Sequence, residues 1–151
     1  TKPEYSSFGW EVDYYTDDFG DPNGNCQLSI TLFKVGSTYK LVFLKSNAQI
    51  VGIFIHSNFK DDIKSQTANL SFKADNNKVI QIHGSYNKDD KYAIFDRTND
   101  RTNTTNEIIS LFKKSSKLKI AFKLSDHDST VIEIDCDGFT EAYNEMWKCK
   151  K

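Results

Sequence analysis

The closing run Val131–Cys149, VIEIDCDGFTEAYNEMWKC, constrains the fold more than any other stretch of the chain. Ile132, Ile134 and Cys136 alternate with Glu133 and Asp135 at the period of a strand that buries one face. After Gly138, the residues Phe139, Ala142, Tyr143, Met146 and Trp147 recur at i, i+3, i+4, i+7 and i+8, one apolar face of a helix with Asp137 or Gly138 as cap. That stripe must cover a sheet, and the rest of the chain has to supply it.

The preceding residues do so. Trp10, Val12 and Tyr14 alternate with Glu11 and Asp13, and Thr16 to Asn25, TDDFGDPNGN, concentrates turn formers. Cys26, Leu28, Ile30 and Leu32 then share one face, followed by a turn near Gly36 and Ser37 and by Tyr39, Leu41 and Phe43 alternating with Lys40, Val42 and Leu44. Ala48 to His56 carries the continuous apolar run of a central strand covered on both faces. Asn58 to Gln66 reads as a charged loop; Asn69 to Lys73, Lys78 to His83 and Lys91 to Asp96 read as three short strands. In Thr105 to Ser115 the stripe Ile108, Ile109, Leu111, Phe112 predicts a helix capped by Thr104 or Thr105, with Lys113 and Lys114 at its negative end. Lys117 to Leu124 and Thr130 to Cys136 form a hairpin around SDHDS. The fold class that follows is mainly β: a single-domain, β-sandwich-like arrangement of antiparallel sheets with two short helices, one of them C-terminal.

With 151 residues and 38% hydrophobic content, one core is the economical reading, with residues 1–7 (TKPEYSS) a flexible N-terminus and residues 8–151 a single β-rich domain. Twenty basic against twenty-one acidic residues leave no global field for nucleic acid or an anionic membrane. The longest apolar run, Ile50 to Ile55, falls well short of the roughly 20 residues of a membrane-spanning helix. The chain starts at Thr1, which fits either a removed signal peptide or a trimmed sequence.

Three cysteines allow one internal disulfide with a thiol left over. Cys136 and Cys149 stand at opposite ends of the last helix, about 15–20 Å apart at its rise per residue, too far for a disulfide. Cys136 continues the inward alternation of Ile132 and Ile134 and reads as a buried free thiol. Cys26 and Cys149, each at the end of an element, are the expected pair, and such a bond implies an oxidising compartment, periplasmic or extracellular.

No catalytic signature is present. Asp17, Asp18 and Asp21, with Asn23 and Asn25, place oxygen ligands densely, but Phe19 interrupts the series and no Glu closes it as in an EF-hand. The stretch is read as a solvated acidic turn, with those three Asp as its calcium candidates. His56, His83 and His127 share no metal-ligand spacing, so neither metal nor cofactor is expected. There is no G-x-S-x-G. The chain's only arginines, Arg97 and Arg101, sit in its most polar stretch and are partner-contact candidates, as are Tyr15 and Phe19, since Trp10 and Tyr14 are expected to fill the core.

The layout also supports a comparison. A Trp10 strand, the acidic turn leading into Cys26 (DDFGDPNGNCQLSI), a strand ending at Asp96, an amphipathic helix, a hairpin and the closing GFTEAYNEMWKC together resemble the invasion-associated locus B family, with type VI secretion accessory proteins of similar layout as a related possibility. The sharpest shared features are Gly138-Phe139-Thr140-Glu141-Ala142 and the Cys26 and Cys149 positions; Cys136 has no counterpart in the pattern. The resemblance implies a β-sandwich-like domain, export from a Gram-negative cell and a non-enzymatic role, binding a protein partner at the envelope or host surface. The alternative is a small immunity or inhibitor protein that blocks a toxin enzyme through its acidic turn or the Arg97/Arg101 loop.

Overall fold

The computed structural model describes residues 4–34, 37–46, 49–57, 67–75, 78–87, 92–96, 102–124 and 129–149. Among them are strands β1 (Tyr5–Ser7), β2 (Trp10–Thr16), β3 (Pro22–Lys34), β4 (Ser37–Ser46), β5 (Gln49–Ser57), β6 (Thr67–Ala74), β7 (Val79–Asn87) and β8 (Tyr92–Asp96). Helix α1 (Thr102–Lys114), strands β9 (Lys117–Leu124) and β10 (Thr130–Asp135) and helix α2 (Phe139–Met146) complete the order. The mainly β, antiparallel, sandwich-like class with a C-terminal helix holds.

The strands hydrogen-bond in the order β1-β2-β3-β4-β5-β8-β7-β6-β9-β10, every pairing antiparallel. Two four-stranded layers, β2-β3-β4-β5 and β7-β6-β9-β10, are thus joined through β8, which pairs with β5 on one side and β7 on the other. The inner positions of both layers are buried in one core: Trp10, Leu28, Leu41 and Phe43 from the first, Leu70, Phe72, Ile82, Ile120 and Ile134 from the second. Phe112 of α1 joins them. Its ring meets Trp10 at 5.9 Å, Phe43 at 5.5 Å and Phe72 at 5.6 Å edge-on, and stacks on Phe139 of α2 at 4.9 Å.

Several boundaries differ from the sequence reading. The opening residues do not simply fray, because Tyr5–Ser7 pair with Val12–Trp10 through a two-residue hairpin. Phe8 (φ 54) and Gly9 (φ 84) both take the positive φ that such a turn requires, an arrangement that a bulky Phe conceals in the sequence. The acidic turn shrinks to residues 17–21: β2 runs to Thr16 and β3 starts at Pro22, where a missing N–H is tolerated at the first strand position. Helix α1 begins at Thr102, upstream of the expected Thr cap, and ends on Lys113 and Lys114 as predicted. The expected Gly36 turn and the 58–66 loop lie outside the described residues.

Gly138 gives the GFTEA motif a physical reading. It is the N-cap of α2 at φ 87, and a Cβ there would stand 2.9 Å from Phe8 Cδ2 and 3.0 Å from Phe8 Cβ. Gly138→Ala is expected to cost about 1–2 kcal/mol for the left-handed backbone, with crowding against Phe8 added. Denaturant unfolding of Gly138→Ala with and without Phe8→Ala separates the parts, since removing the Phe8 ring relieves only the crowding. Full recovery in the double variant would show that the backbone carries no penalty.

Candidate functional site

Among the described residues, two places on β2 and β3 bring candidate side chains together. The first is the turn between them. Asp17 N–H donates to Asp21 O at 2.8 Å and Gly20 N–H to Asp17 O at 3.0 Å. Asp17 Oδ1 accepts from the backbone N–H of Phe19 at 2.9 Å and of Asp21 at 3.0 Å, so one carboxylate oxygen holds the loop from within. Gly20 supplies the positive φ (84°) that closes the turn. At its apex Phe19 is 90% exposed. Tyr15 stands nearby on the outer face, 41% exposed, its hydroxyl donating to Gln27 Oε1 at 2.8 Å. Burial, and then the charge of Asp13, push the Tyr15 phenol above its ordinary value.

The structure therefore sets Phe19 and Tyr15 on one hairpin and leaves Phe19 as the free ring. The calcium candidates are not gathered: Asp17 turns an oxygen onto its own loop's amides, and no group of three or more His, Cys, Asp or Glu among the described residues is placed to hold a metal. Arg97, Arg101 and His127 lie outside the described residues. His83 is engaged by the side chain of Asn69.

The second place is the C-terminal clasp. Tyr14, Cys26 and Lys45 are direct cross-strand partners on β2, β3 and β4, all facing the core, and the residues after α2 fold over them. Cys149 N–H donates to Met146 O at 3.2 Å, a turn that carries Cys149 back onto β3. Each thiol then reaches a backbone carbonyl close to the other cysteine in sequence: Cys26 Sγ donates to Met146 O and Cys149 Sγ to Asn25 O, each at 3.4 Å. Tyr14 OH donates to Glu145 O at 3.0 Å.

The expected disulfide is not formed. Cys26, Cys136 and Cys149 are all free and buried. Cys26 and Cys149 do come to the same place across the fold, as the spacing suggests, but as free thiols, each donating to a backbone carbonyl beside the other. The carbonyls of Met146 and Asn25 satisfy them without a covalent bond, so the inference from a disulfide to an oxidising compartment falls away. Burial, with the neighbouring Cys149 and against the attraction of Lys45, pushes the Cys26 thiol up to about 12. Burial and then Asp135, Asp137 and Asp75 push Cys136 up to about 12 as well. Both are protonated at neutral pH and are poor nucleophiles.

Lys45 is the residue that sequence reasoning missed. It is 1% exposed. Its Nζ donates to Cys149 O at 2.8 Å and Gly24 O at 3.3 Å and lies 5.2 Å from the centre of the Trp147 ring. The signal was available: Lys45 falls in phase with Tyr39, Leu41 and Phe43, the inward set of its strand. The indole Nε1 of Trp147 and Asn25 Oδ1, bordering the clasp, are buried without a hydrogen-bond partner.

Comparison with protein-family models, with curated proteins and with solved structures finds no match to this chain.

Proposed function

We propose that the chain is a non-catalytic domain that binds a protein partner, with Phe19 as the inserted anchor. The observation that carries this reading is a fully presented aromatic ring on a turn fixed by its own hydrogen bonds. A rigid, exposed aromatic loses little conformational freedom on insertion into a pocket, which is how interface anchors gain their energy. Asp18 and Asp21 beside it favour a partner whose pocket has a basic rim. The buried, protonated Cys26 and Cys136 thiols support the non-catalytic part. Placement at a bacterial envelope or host surface belongs to the same proposal and rests on the resemblance to the invasion-associated locus B family alone.

The same acidic tip favours a second reading, an immunity or inhibitor protein seated in the basic cleft of a toxin enzyme. Affinity capture from the source organism tests both. Phe19→Ala is expected to weaken the captured complex by about 2 kcal/mol or more, the range of an interface anchor, and Tyr15→Phe by less. A partner held equally well by Phe19→Ala would overturn the assignment, and a stoichiometric enzyme inhibited on binding would select the second reading.

A further inference from the structure

We infer that Cys26 and Cys149 form a two-coordinate binding site for a soft monovalent cation, copper(I), with Lys45 as its charge-balancing neighbour. Three observations converge on it. The two thiols are brought to one place from distant parts of the chain by separate elements, β3 and the turn after α2: Cys26 Sγ lies 3.4 Å from Met146 O, which also accepts from Cys149 N–H, and Cys149 Sγ lies 3.4 Å from Asn25 O, the carbonyl next to Cys26. Among the described residues no third His, Cys, Asp or Glu joins them. That ligand count does not serve zinc, which takes four, or the hard cations, which take oxygen, whereas sulfur donors select copper(I).

The third observation is Lys45. A buried ammonium is costly to desolvate, and the contacts it makes among the described residues are two carbonyl oxygens and the face of an indole, all neutral. A copper(I) ion held by two thiolates carries a single net negative charge, which the ammonium beside it neutralises. Loading is a displacement: both S–H bonds break, two Cu–S bonds form and the two protons leave to solvent. No electron is transferred, so no oxidant or reductant is required. Entry needs only local opening of the turn at residues 147–149, outside the helix proper.

The test is titration of the reduced full chain with copper(I) alone, without oxygen, against a chromophoric copper(I) chelator. One copper per chain is expected, with proton release that accompanies it. Cys26→Ser and Cys149→Ser are expected to lose binding in the presence of the chelator, and Cys136→Ser to keep it. Lys45→Met is expected to keep the stoichiometry and weaken affinity about 10- to 100-fold, as loss of a supporting neighbour does in metal sites. Absence of binding, binding retained without Cys26, or binding that follows Cys136 overturns the site; unchanged affinity in Lys45→Met overturns the role of Lys45. Should the serine variants fail to fold, X-ray absorption of the copper-loaded wild type reads the same point: two sulfur neighbours support the site, and nitrogen or oxygen neighbours overturn it.

Discussion

Phe112→Ala is expected to lower the unfolding free energy by about 3–5 kcal/mol, a large part of the roughly 5–15 kcal/mol that holds a domain folded. The ring is 1% exposed and touches α2 and both layers of the sheet from its place on α1. Truncation leaves a cavity bounded by Trp10, Phe43, Phe72 and Phe139. None of these can collapse into it without leaving its place in a strand or helix. Each lost ring contact adds to the transfer and cavity terms by about 0.5–1.5 kcal/mol where the geometry is edge-on or stacked. Phe112→Leu keeps most of the volume and is expected to lose a smaller part. Urea unfolding followed by tryptophan fluorescence gives both values. A Phe112→Ala loss below that of an ordinary surface substitution would mean that the layers do not share the core described for them.

Stability is also expected to fall steeply as pH rises above about 9. Cys26 and Cys136 are pushed from 9.0 up to about 12 in the folded chain, burial being the first cause for each. A group whose folded pKa lies above its unfolded value contributes stability that is complete below the unfolded pKa. That contribution is lost as pH rises toward the folded pKa, because the unfolded chain releases its protons first. At about 1.4 kcal/mol per pKa unit, two thiols each raised from 9.0 to about 12 carry a loss of at most about 8 kcal/mol by about pH 12. The phenols of Tyr14 and Tyr86, also raised by burial, add a contribution of the same sign. Urea unfolding from about pH 8 to about pH 11 isolates the thiols when wild type is compared with Cys26→Ala/Cys136→Ala, whose slope should be shallower. Equal slopes in the two proteins would show that these thiols titrate normally.

The strands were legible because their signal is local. The period of two runs through Trp10–Tyr14, Cys26–Leu32 and Tyr39–Phe43, and these residues are inward in the structure. The α2 stripe is likewise borne out, with Phe139, Ala142 and Met146 buried. What could not be read is non-local. That β8 returns to pair with β5, tying two layers into one ladder, depends on how β6–β8 swing round as a unit, and no residue pattern encodes it directly. Tyr15 and Phe19 do stand exposed, as aromatics in and beside a polar turn suggest. The meeting of Cys26 with Cys149 was found from spacing, but its chemistry was not. Whether two nearby thiols bond depends on tenths of an ångström and on the carbonyls around them. Lys45 was missed because charge argues for the surface and only strand phase argued against it.

The clasp also bears on how the chain assembles. Its hydrogen bonds join residues 131 apart (Tyr14 to Glu145), 120 apart (Cys26 to Met146) and 124 apart (Cys149 to Asn25). Contacts of that separation pay loop-closure entropy before they return any energy, and folds rich in them assemble slowly. The hairpins β2–β3, β3–β4, β6–β7 and β9–β10 can each form from neighbours in sequence. The tail can settle only on a rung that β2, β3 and β4 have already built, so in the order of events the closing stretch of the sequence is a latch set last.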